Sequence, residues 1–332
     1  MRYAITVGLV VLLSFCVLGV NSDSQCALID LTNASSVEPL VVLPHTWAAA
    51  LAFSEDGSIL TTLDGALVLR DWDAETGELV SEIELDSVQP GFRRSAFSPD
   101  GALVAASLPD HAVAVWRRSD GVRTSTLPGN AFVMGVQFSP DSSILAVGRF
   151  DGTVEFWHPL TGELLHSWSA HPSASHALAF SPDMTIFASG SINSTWTLRV
   201  WQMVNWELQY ERTDHQEDVY QILFVREGAQ FLSVSGDRTI MLWDTASGDR
   251  IRTYSGHLDI VNDVAISPAG DILATAGSDR RVMLWNFETA TVLATLTGHT
   301  SYVFPIAYSP LGNRLASGTS SGSGEVILWG LP

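Results

Sequence analysis

Residues 256–299 read GHLDIVNDVAISPAGDILATAGSDRRVMLWNFETATVLATLTGH, and they contain one complete structural unit of this chain. Alternating apolar residues from Asp259 to Ser267 predict a first strand, which a tight turn follows. Ile272 to Ala276 form a second strand, Arg281 to Trp285 a third and Thr291 to Leu296 a fourth. Four short antiparallel strands joined by turns make one sheet, which we call a blade.

The same unit occurs seven times along the chain. Tryptophan at the end of the third strand recurs at intervals of 44, 41, 44, 42, 42 and 44 residues, and an apolar residue before the first turn keeps step with it. Two series with one period indicate a true repeat. The sequence therefore predicts an all-β fold, a seven-bladed β-propeller of four-stranded antiparallel blades. The tryptophans are Trp72, Trp116, Trp157, Trp201, Trp243, Trp285 and Trp329, and the second series is Phe53, Phe97, Phe138, Phe180, Phe224, Ile266 and Tyr308.

Two dipeptides recur inside the repeat. Gly-His stands at Gly256-His257 and Gly298-His299, and Trp-Asp stands at Trp72-Asp73 and Trp243-Asp244. Together with the shared period, these motifs make the sequence resemble the WD-repeat β-propeller family over roughly 39–332. The resemblance implies a rigid ring whose loops bind a partner.

The two ends of the chain fit together as one blade. The sequence stops at Pro332, directly after the third strand of its seventh unit. Residues 37–45 match the pattern of the fourth strand and the following histidine in 292–299. We therefore expect the amino-terminal strand to complete blade seven and to cover an edge that would otherwise be free to pair. The predicted domains are 1–22 as an export signal, 23–36 as a short segment and 37–332 as the propeller.

The amino-terminal segment has the layout of a secretory signal. Arg2 precedes an uncharged apolar run, Ala4 to Val20, and a polar stretch follows that run. Ser22 suits a cleavage site, an uncleaved membrane anchor is the alternative, and lipidation at Cys16 is disfavoured by Phe15. We therefore expect an exported protein that is secreted, periplasmic or on the cell surface, or one that this segment anchors to the membrane.

The charge of the chain limits its partners. There are 36 acidic and 17 basic residues, a formal net charge of −19, and all 17 basic residues are arginine. We expect no nucleic-acid partner, because affinity for phosphates needs clustered cations. The lack of lysine excludes a P-loop lysine and Schiff-base chemistry. Membrane contact is expected only through an uncleaved amino-terminal segment.

The remaining residue types predict neither a metal site nor a cofactor. Cys16 and Cys26 are the only cysteines, and the histidines are spaced about one blade apart without a His-Glu-X-X-His motif. We therefore expect no metal, no cofactor and no disulfide framework. Asn33 and Asn193 begin tripeptides of the N-glycosylation pattern, and the sequence leaves their use open.

Serine, histidine and aspartate recur in the repeat, but the resemblance implies that their role is structural and that no residue is catalytic. In the family, a turn Asp, the Gly-His histidine, a strand Ser or Thr and the Trp form a buried hydrogen-bond chain. Blade seven has Ser323 at the spacing of the turn Asp, and blades two and three offer Pro90 and Asn130 in the histidine region. The implied chains are His215, Ser233, Asp237 and Trp243 in blade five and His257, Thr275, Asp279 and Trp285 in blade six.

Candidate partner contacts lie on the loops that lead into each first strand. Two positions per blade, equivalent to Ile260 and Asn262, are expected to point to that face. Several of them are large apolar groups, and an arginine beside an aromatic cluster is typical of an interface hot spot. The alternative is that some of these rings pack between blades. The candidates are Trp47, Arg93, Phe132, Met134, Tyr220, Tyr302 and Phe304, together with Trp196 in an insertion of blade four.

The sequence as a whole predicts a function without catalysis. We expect an exported, monomeric propeller that serves as a scaffold and presents one rigid face to a protein or peptide partner. Two alternatives remain open, namely binding of a small ligand or glycan and an enzyme that uses the central channel. Such an enzyme needs inward-facing Asp or Glu from several blades at the channel mouth, and the sequence shows no such set.

Overall fold

The computed structural model describes residues 27–44, 47–86, 94–193, 195–320 and 324–332. These residues form seven four-stranded antiparallel sheets. The predicted seven-bladed, all-β propeller is thereby confirmed. Two single 3-10 turns, Ala34–Ser36 and Arg226–Gly228, are the only helical segments in the described ranges.

The strands are numbered in chain order, and each of the first six blades contains four consecutive strands. Blade one contains β2 (Ala48–Phe53), β3 (Ile59–Asp64), β4 (Val68–Asp73) and β5 (Leu79–Glu84), and blade two contains β6 (Ser95–Phe97), β7 (Leu103–Ser107), β8 (Val113–Arg117) and β9 (Arg123–Leu127). Blade three contains β10 (Val133–Phe138), β11 (Leu145–Arg149), β12 (Thr153–Trp157) and β13 (Leu164–Ser169), and blade four contains β14 (Ser175–Phe180), β15 (Ile186–Ser191), β16 (Leu198–Gln202) and β17 (Leu208–Arg212). Blade five contains β18 (Val219–Val225), β19 (Gln230–Ser235), β20 (Thr239–Asp244) and β21 (Arg250–Ser255), and blade six contains β22 (Val261–Ile266), β23 (Ile272–Gly277), β24 (Arg281–Asn286) and β25 (Val292–Thr297).

Blade seven joins the two ends of the chain. It contains β26 (Val303–Tyr308), β27 (Leu315–Thr319), β28 (Glu325–Gly330) and β1 (Glu38–Pro44), with β1 at the edge next to β28. The register shifts by one residue beside the tryptophan, because Pro39 pairs with Trp329 and Val41 with Leu328. In the other six blades, the pairing of the third and fourth strands shifts in the same way beside the tryptophan of the third strand. The expectation that the amino-terminal strand closes the ring is therefore confirmed.

Short polar turns and buried inner strands explain the local structure. In blade two, Ser98 Oγ donates to Asp100 Oδ1 (2.5 Å), and the same carboxylate accepts from Ala102 N (3.0 Å). Gly101 follows with a φ of 70°, a conformation that glycine adopts without strain. The strand after this turn, β7, is buried along its whole length, whereas fourth strands such as β13 alternate towards solvent.

The hydrophobic core is divided into seven clusters, one between each pair of neighbouring blades. Each cluster contains one repeat tryptophan, which packs on the preceding blade. Trp285 of blade six lies with Leu232 and Tyr254 of blade five, and Trp72 of blade one lies with Leu328 of blade seven. Burial of these rings, none more than 7% exposed, stabilises every joint of the ring, including the closure.

The segment that precedes β1 packs at the joint between blades six and seven. Ile29, Ala34 and Val37 are buried in the cluster between blades six and seven, and Ile29 N donates to Gly312 O (2.9 Å). The predicted export signal, 1–22, lies outside the described residues. Within the described ranges, no helix has the length and apolar character needed to cross a membrane.

Candidate interaction surface at the channel mouth

A β-bulge opens the first strand of six blades. In blade five, Val219 pairs with Ser235 and Gln221 pairs with Val234, so Tyr220 is the extra residue between them. A bulge bends its strand and changes the direction of the side chain that it carries. The bulged residues are Ala49, Met134, His176, Tyr220 and Asn262, with Phe304 and Pro305 in blade seven.

The bulged residues surround a cavity of about 210 Å³ where the first strands begin. Blade two contributes Arg94, the residue before its short first strand β6. Val136, Leu178 and Gln221 line the walls of the same cavity. We call the set of one residue from each blade the mouth surface, which consists of Ala49, Arg94, Met134, His176, Tyr220, Asn262 and Phe304.

His176 lines this cavity and has a hydrogen-bond acceptor without a partner among the described residues. Its side chain is only 8% exposed, and Nδ1 lies 3.0 Å from Tyr220 O. Because a carbonyl oxygen accepts, Nδ1 carries the proton. Burial, followed by the nearby charge of Arg94, lowers the pKa of His176 well below its usual range. The ring is therefore neutral, Nε2 has a free lone pair, and no described residue donates to it.

Arg94 brings a positive charge to the cavity. Burial lowers the pKa of its guanidinium to about 10, with a smaller opposing effect of Tyr220, so the group stays charged at neutral pH. Ser95, the next residue, also lines the cavity, and its buried Oγ has no hydrogen-bond partner among the described residues. Sequence reasoning missed Arg94. The available signal was the pair Arg93-Arg94, whose second member stands immediately before the strand.

A buried carboxylate ties three blades together near the mouth. Asp263 of blade six accepts from Gln221 Nε2 of blade five (3.3 Å) and from Ile306 N of blade seven (3.0 Å). It also accepts from Val264 N (2.8 Å). Burial raises the pKa of Asp263 to about 6 despite these three hydrogen bonds. The carboxylate therefore holds the first strands of neighbouring blades in a fixed relation.

The predicted contacts divide between the cavity and its surroundings. Met134, Tyr220 and Phe304 line the cavity. Phe132 is 63% exposed outside it, with its ring centroid 4.2 Å from that of His111. Tyr302 is 54% exposed and borders a shallow groove between blades six and seven. The structure thus brings three of the candidates together.

Trp47 and Trp196, two of the other predicted contacts, do not line the cavity. Trp47 is half-buried immediately before β2. Trp196 is half-buried in the turn between β15 and β16, where its φ is 47°. Arg93 lies outside the described residues. Neither tryptophan belongs to the mouth surface.

The implied hydrogen-bond chains occupy the joints between strands. In blade five, His215 Nδ1 lies 2.8 Å from Asp237 Oδ2, and Nε2 lies 2.7 Å from Ser233 Oγ. Trp243 Nε1 donates to the same hydroxyl (2.8 Å). Burial raises the pKa of Asp237, but the hydrogen bond and charge of His215 outweigh it and hold that pKa well below its usual range. Ser233 is fully buried with its hydroxyl engaged on both sides, which suits a scaffold.

Blade six repeats this arrangement with threonine in place of serine. His257 Nε2 lies 2.8 Å from Thr275 Oγ1, and Nδ1 lies 3.0 Å from Asp279 Oδ2. Trp285 Nε1 donates to Thr275 Oγ1 (2.9 Å). The side chains of blades five and six therefore make equivalent hydrogen bonds.

Blades four and seven replace the turn aspartate with another residue. In blade seven, His299 Nδ1 lies 3.3 Å from Glu325 Oε1, whereas Ser323, the residue singled out by spacing, lies outside the described residues. In blade four, His171 Nδ1 lies 3.0 Å from Thr197 Oγ1. Both substitutes stand four residues before the tryptophan, a spacing that could have identified them.

Blade three replaces the histidine with an arginine. Arg149, 1% exposed, donates to Glu155 Oε2 through Nη2 (2.7 Å), and Trp157 Nε1 donates to the same oxygen (3.0 Å). A Cβ at Gly129 would lie 2.0 Å from the guanidinium, so glycine leaves the room that the arginine needs. Asn130, which spacing placed in the histidine region, is exposed instead. The long side chain of Arg149, on the strand next to that of the tryptophan, occupies the place of the histidine, which the short amide of Asn130 on the loop does not reach.

Metal ligands do not cluster in the described part of the chain. There, no group of three or more His, Cys, Asp and Glu side chains is arranged to hold a metal ion. None of the described residues that line the mouth cavity is Asp or Glu.

Sequence comparison finds similar proteins of varied names. The chain is 30% identical over 162 residues to periodic tryptophan protein 2 of Arabidopsis thaliana, covering 48% of this chain and 18% of that protein. It is 37% identical over 90 residues to eukaryotic translation initiation factor 3 subunit I of Pyricularia oryzae, 27% of this chain and 26% of that protein. It is 24% identical over 217 residues to the COMPASS component SWD3 of Saccharomyces cerevisiae, 62% of this chain and 67% of that protein. The chain thus spans about a quarter or less of the length of the first two.

These relatives contradict the predicted export. They include a translation initiation factor subunit and a COMPASS component, and none of the three is named as exported or membrane-anchored. The expectation of a secreted, periplasmic or cell-surface protein, or of one anchored by its first residues, is therefore wrong. An apolar run after one arginine is a pattern of composition, and it does not by itself identify a signal.

The repeat family is identified by direct matches along the chain. The model described as WD domain, G-beta repeat matches residues 121–158, 162–202, 206–244, 248–286 and 290–330. Each match runs from the fourth strand of one blade to the tryptophan of the next. Blade one and the first three strands of blade two lie outside the matches, yet both blades have the same four strands and the same bulge beside tryptophan. The chain belongs to the WD domain, G-beta repeat family.

Proposed function

We propose that this propeller is a non-catalytic scaffold that holds a protein or peptide partner at the mouth surface. The observation that carries the proposal is the repeated bulge, because six blades interrupt the pairing of their first strand at a residue that lines one cavity. Met134, Tyr220 and Phe304 supply the large side chains that dominate binding energy at protein interfaces. The names of two relatives, a factor subunit and a complex component, describe parts of assemblies.

Two alternatives fit the mouth less well. A small-molecule site usually encloses about 300–1,000 Å³, and the cavity holds about 210 Å³. A channel enzyme needs acidic groups from several blades, whereas the described lining contains neither Asp nor Glu. A shallow, mixed surface that admits one side chain of a partner suits protein recognition better than either.

Exposed aromatic residues around the cavity extend the proposed contact. Phe132 and Tyr302 each expose more than half of their side chains close to mouth residues in sequence. Trp47 and Trp196 are half-buried and offer smaller areas. We assign these four residues to the outer part of the interface, where single contacts contribute less than central ones.

Affinity capture with matched variants tests the proposal. The tagged chain is compared with Met134→Ala and Phe304→Ala, and with Val204→Ala as control. Val204 is 87% exposed in the turn between β16 and β17, which lies at the opposite face because first strands begin at the mouth. We expect a stoichiometric partner that both mouth variants lose and the control retains. Equal recovery by all folded variants, judged from their thermal unfolding, contradicts the proposal.

A further inference from the structure

The mouth cavity carries a positive charge on a strongly acidic protein. The chain has a formal net charge of −19, yet Arg94 lines the cavity and the described lining has no acidic side chain. A guanidinium that is partly removed from water attracts an anion more strongly than an exposed one. Its planar fork matches the geometry of a carboxylate. The charge of the cavity is therefore complementary to an anionic group on a partner.

Two polar atoms of the cavity define what else the partner must offer. His176 Nε2 is an acceptor, because Nδ1 donates its proton to Tyr220 O. Ser95 Oγ can donate to an anion. Neither atom has a hydrogen-bond partner in the described ranges, although both are buried. An unsatisfied buried polar atom is costly, so a ligand that donates to Nε2 and accepts from Ser95 stabilises the complex.

We propose that the cavity takes one acidic residue of a peptide, with its carboxylate against Arg94 and Ser95 Oγ and a peptide N–H donated to His176 Nε2. This inference rests on the proposed function, since it names the chemistry of the partner at the same surface. The carboxylate belongs to an Asp or Glu side chain or to the carboxyl terminus. Phe304, Met134 and the walls of the cavity favour an apolar residue next to the acidic one.

The cavity fits a carboxylate better than a phosphate. Phosphorylated motifs are read by clusters of arginines, and Arg94 is the one cation among the described lining residues. A free dianionic phosphate also offers no donor for His176 Nε2, whereas the peptide group of an acidic residue supplies one. A single acidic residue provides both groups, a carboxylate charge and a peptide N–H donor close to it.

Binding of labelled peptide pools tests this inference. Dye-labelled positional-scanning pools of short peptides, each with one fixed residue, are titrated with the full chain and followed by fluorescence anisotropy. One series carries amidated carboxyl termini and a second carries free ones, which separates a side-chain carboxylate from a terminal one. We expect pools fixed as Asp or Glu, or all pools with a free terminus, to bind above the amidated pools fixed as Asn, Gln, Lys or Arg.

Variants of the cavity then assign the binding to Arg94. Arg94→Gln should weaken binding of the selected pools by about tenfold or more, because it removes the buried partner of a charge. Arg94→Lys keeps the charge but loses the planar fork, so it should weaken binding less than Arg94→Gln does. Arg238→Gln is the matched control, since Arg238 is exposed on a turn of the same face outside the cavity. His176→Phe, which removes the acceptor, should weaken binding without removing the preference for acid.

A failure of the acidic-residue inference can be distinguished from a failure of the proposed function. Pools fixed as Lys, Arg or apolar residues that bind as tightly as the acidic pools, or acidic binding that Arg94→Gln leaves unchanged, overturn the inference. If Phe304→Ala still abolishes binding in that case, the scaffold proposal stands without it. If no pool binds, the inference is also overturned. If a captured partner is recovered equally by the parent chain and the mouth variants, the proposed function is overturned as well.

Discussion

The indole N–H groups of the repeat tryptophans make one kind of hydrogen bond, and different residues supply its acceptor. Six of the seven indole N–H groups donate to a buried oxygen at 2.7 to 3.0 Å, while Trp116 Nε1 has no partner among the described residues. A buried donor needs an acceptor, whether a hydroxyl or a carboxylate provides it. The acceptors are Thr62, Glu155, Ser189, Ser233, Thr275 and Ser317.

Arg149 should be the most costly arginine to remove. Arg149→Met keeps much of the side-chain volume but leaves Glu155 without its partner and the carbonyl oxygen of His111 without its donor (2.6 Å). We expect the free energy of unfolding to fall by about 3–5 kcal/mol, as when one member of a buried ion pair is removed. The measurement is the urea midpoint at constant slope.

A surface arginine provides the control for that measurement. Arg117, 53% exposed, pairs with Asp120 (2.6 Å), and Arg117→Met should cost less than about 1 kcal/mol. Similar losses for the two variants would contradict the structural role of the guanidinium in blade three.

His171 makes the stability of blade four depend on pH. Burial, followed by the charge of Arg199, lowers the pKa of His171 from 6.5 to about 3. The unfolded chain therefore binds the proton first, and stability falls as pH falls through the range between these values. Between pH 7 and pH 5 this one group should remove about 2 kcal/mol of unfolding free energy.

The variant His171→Asn isolates that contribution. Its unfolding free energy should change between the two pH values by about 2 kcal/mol less than that of the parent. Asp263 acts in the opposite direction, because its raised pKa of about 6 makes stability fall as pH rises from 3.8, but this effect is common to both proteins. Identical pH dependence of parent and variant would contradict this account, because it would mean that His171 takes up its proton as readily in the folded chain as in the unfolded one.

The sequence identified the histidines of the hydrogen-bond chains more readily than the residues that replace these chains in other blades. His215, Ser233 and Asp237 follow the family spacing, so their hydrogen bonds could be expected from the resemblance. Arg149 and Glu155 follow no shared motif, because two strand residues do together what a loop histidine and a turn aspartate do elsewhere. Such an exchange becomes visible only when the side chains are placed in space.

At the scale of elements, two bulges recur around the ring, one in all seven blades and one in six. One stands beside the tryptophan and recurs in β1, which makes this strand equivalent to the fourth strands of other blades. The other opens the first strand and turns one residue towards the mouth. Strand periodicity predicts the number and order of strands, but a one-residue insertion in the register leaves little trace in a pattern of apolar residues.

The closing strand offers a matched pair of substitutions. Leu43 and Val42 are neighbours in β1 that face opposite sides, with exposed fractions of 0% and 58%. Leu43→Ala should lower the free energy of unfolding by about 2–5 kcal/mol, because it empties part of the cluster between blades seven and one. Val42→Ala should change it by less than about 0.5 kcal/mol. Equal effects in urea unfolding would mean that β1 does not close the ring by packing.

At the scale of the whole molecule, the ring positions one residue from each blade around a single opening. Seven clusters between blades fix the circle, and Asp263 couples the blades next to the mouth. Spacing from the repeat led to Met134, Tyr220 and Phe304 at the cavity. It could not reveal that His176, which lines the cavity, has an acceptor unpaired among the described residues, since a tautomer depends on the contact that the other ring nitrogen makes.

Hydrogen exchange of the complex with a captured partner shows which face of the ring binds. Amide exchange is compared for the free chain and the complex along all seven blades. Protection should concentrate where the first strands begin, around Arg94, Met134 and Tyr220, and should be absent from the opposite turn at Val204. Protection confined to the turns of the opposite face, with exchange at the mouth unchanged, would contradict the proposed surface.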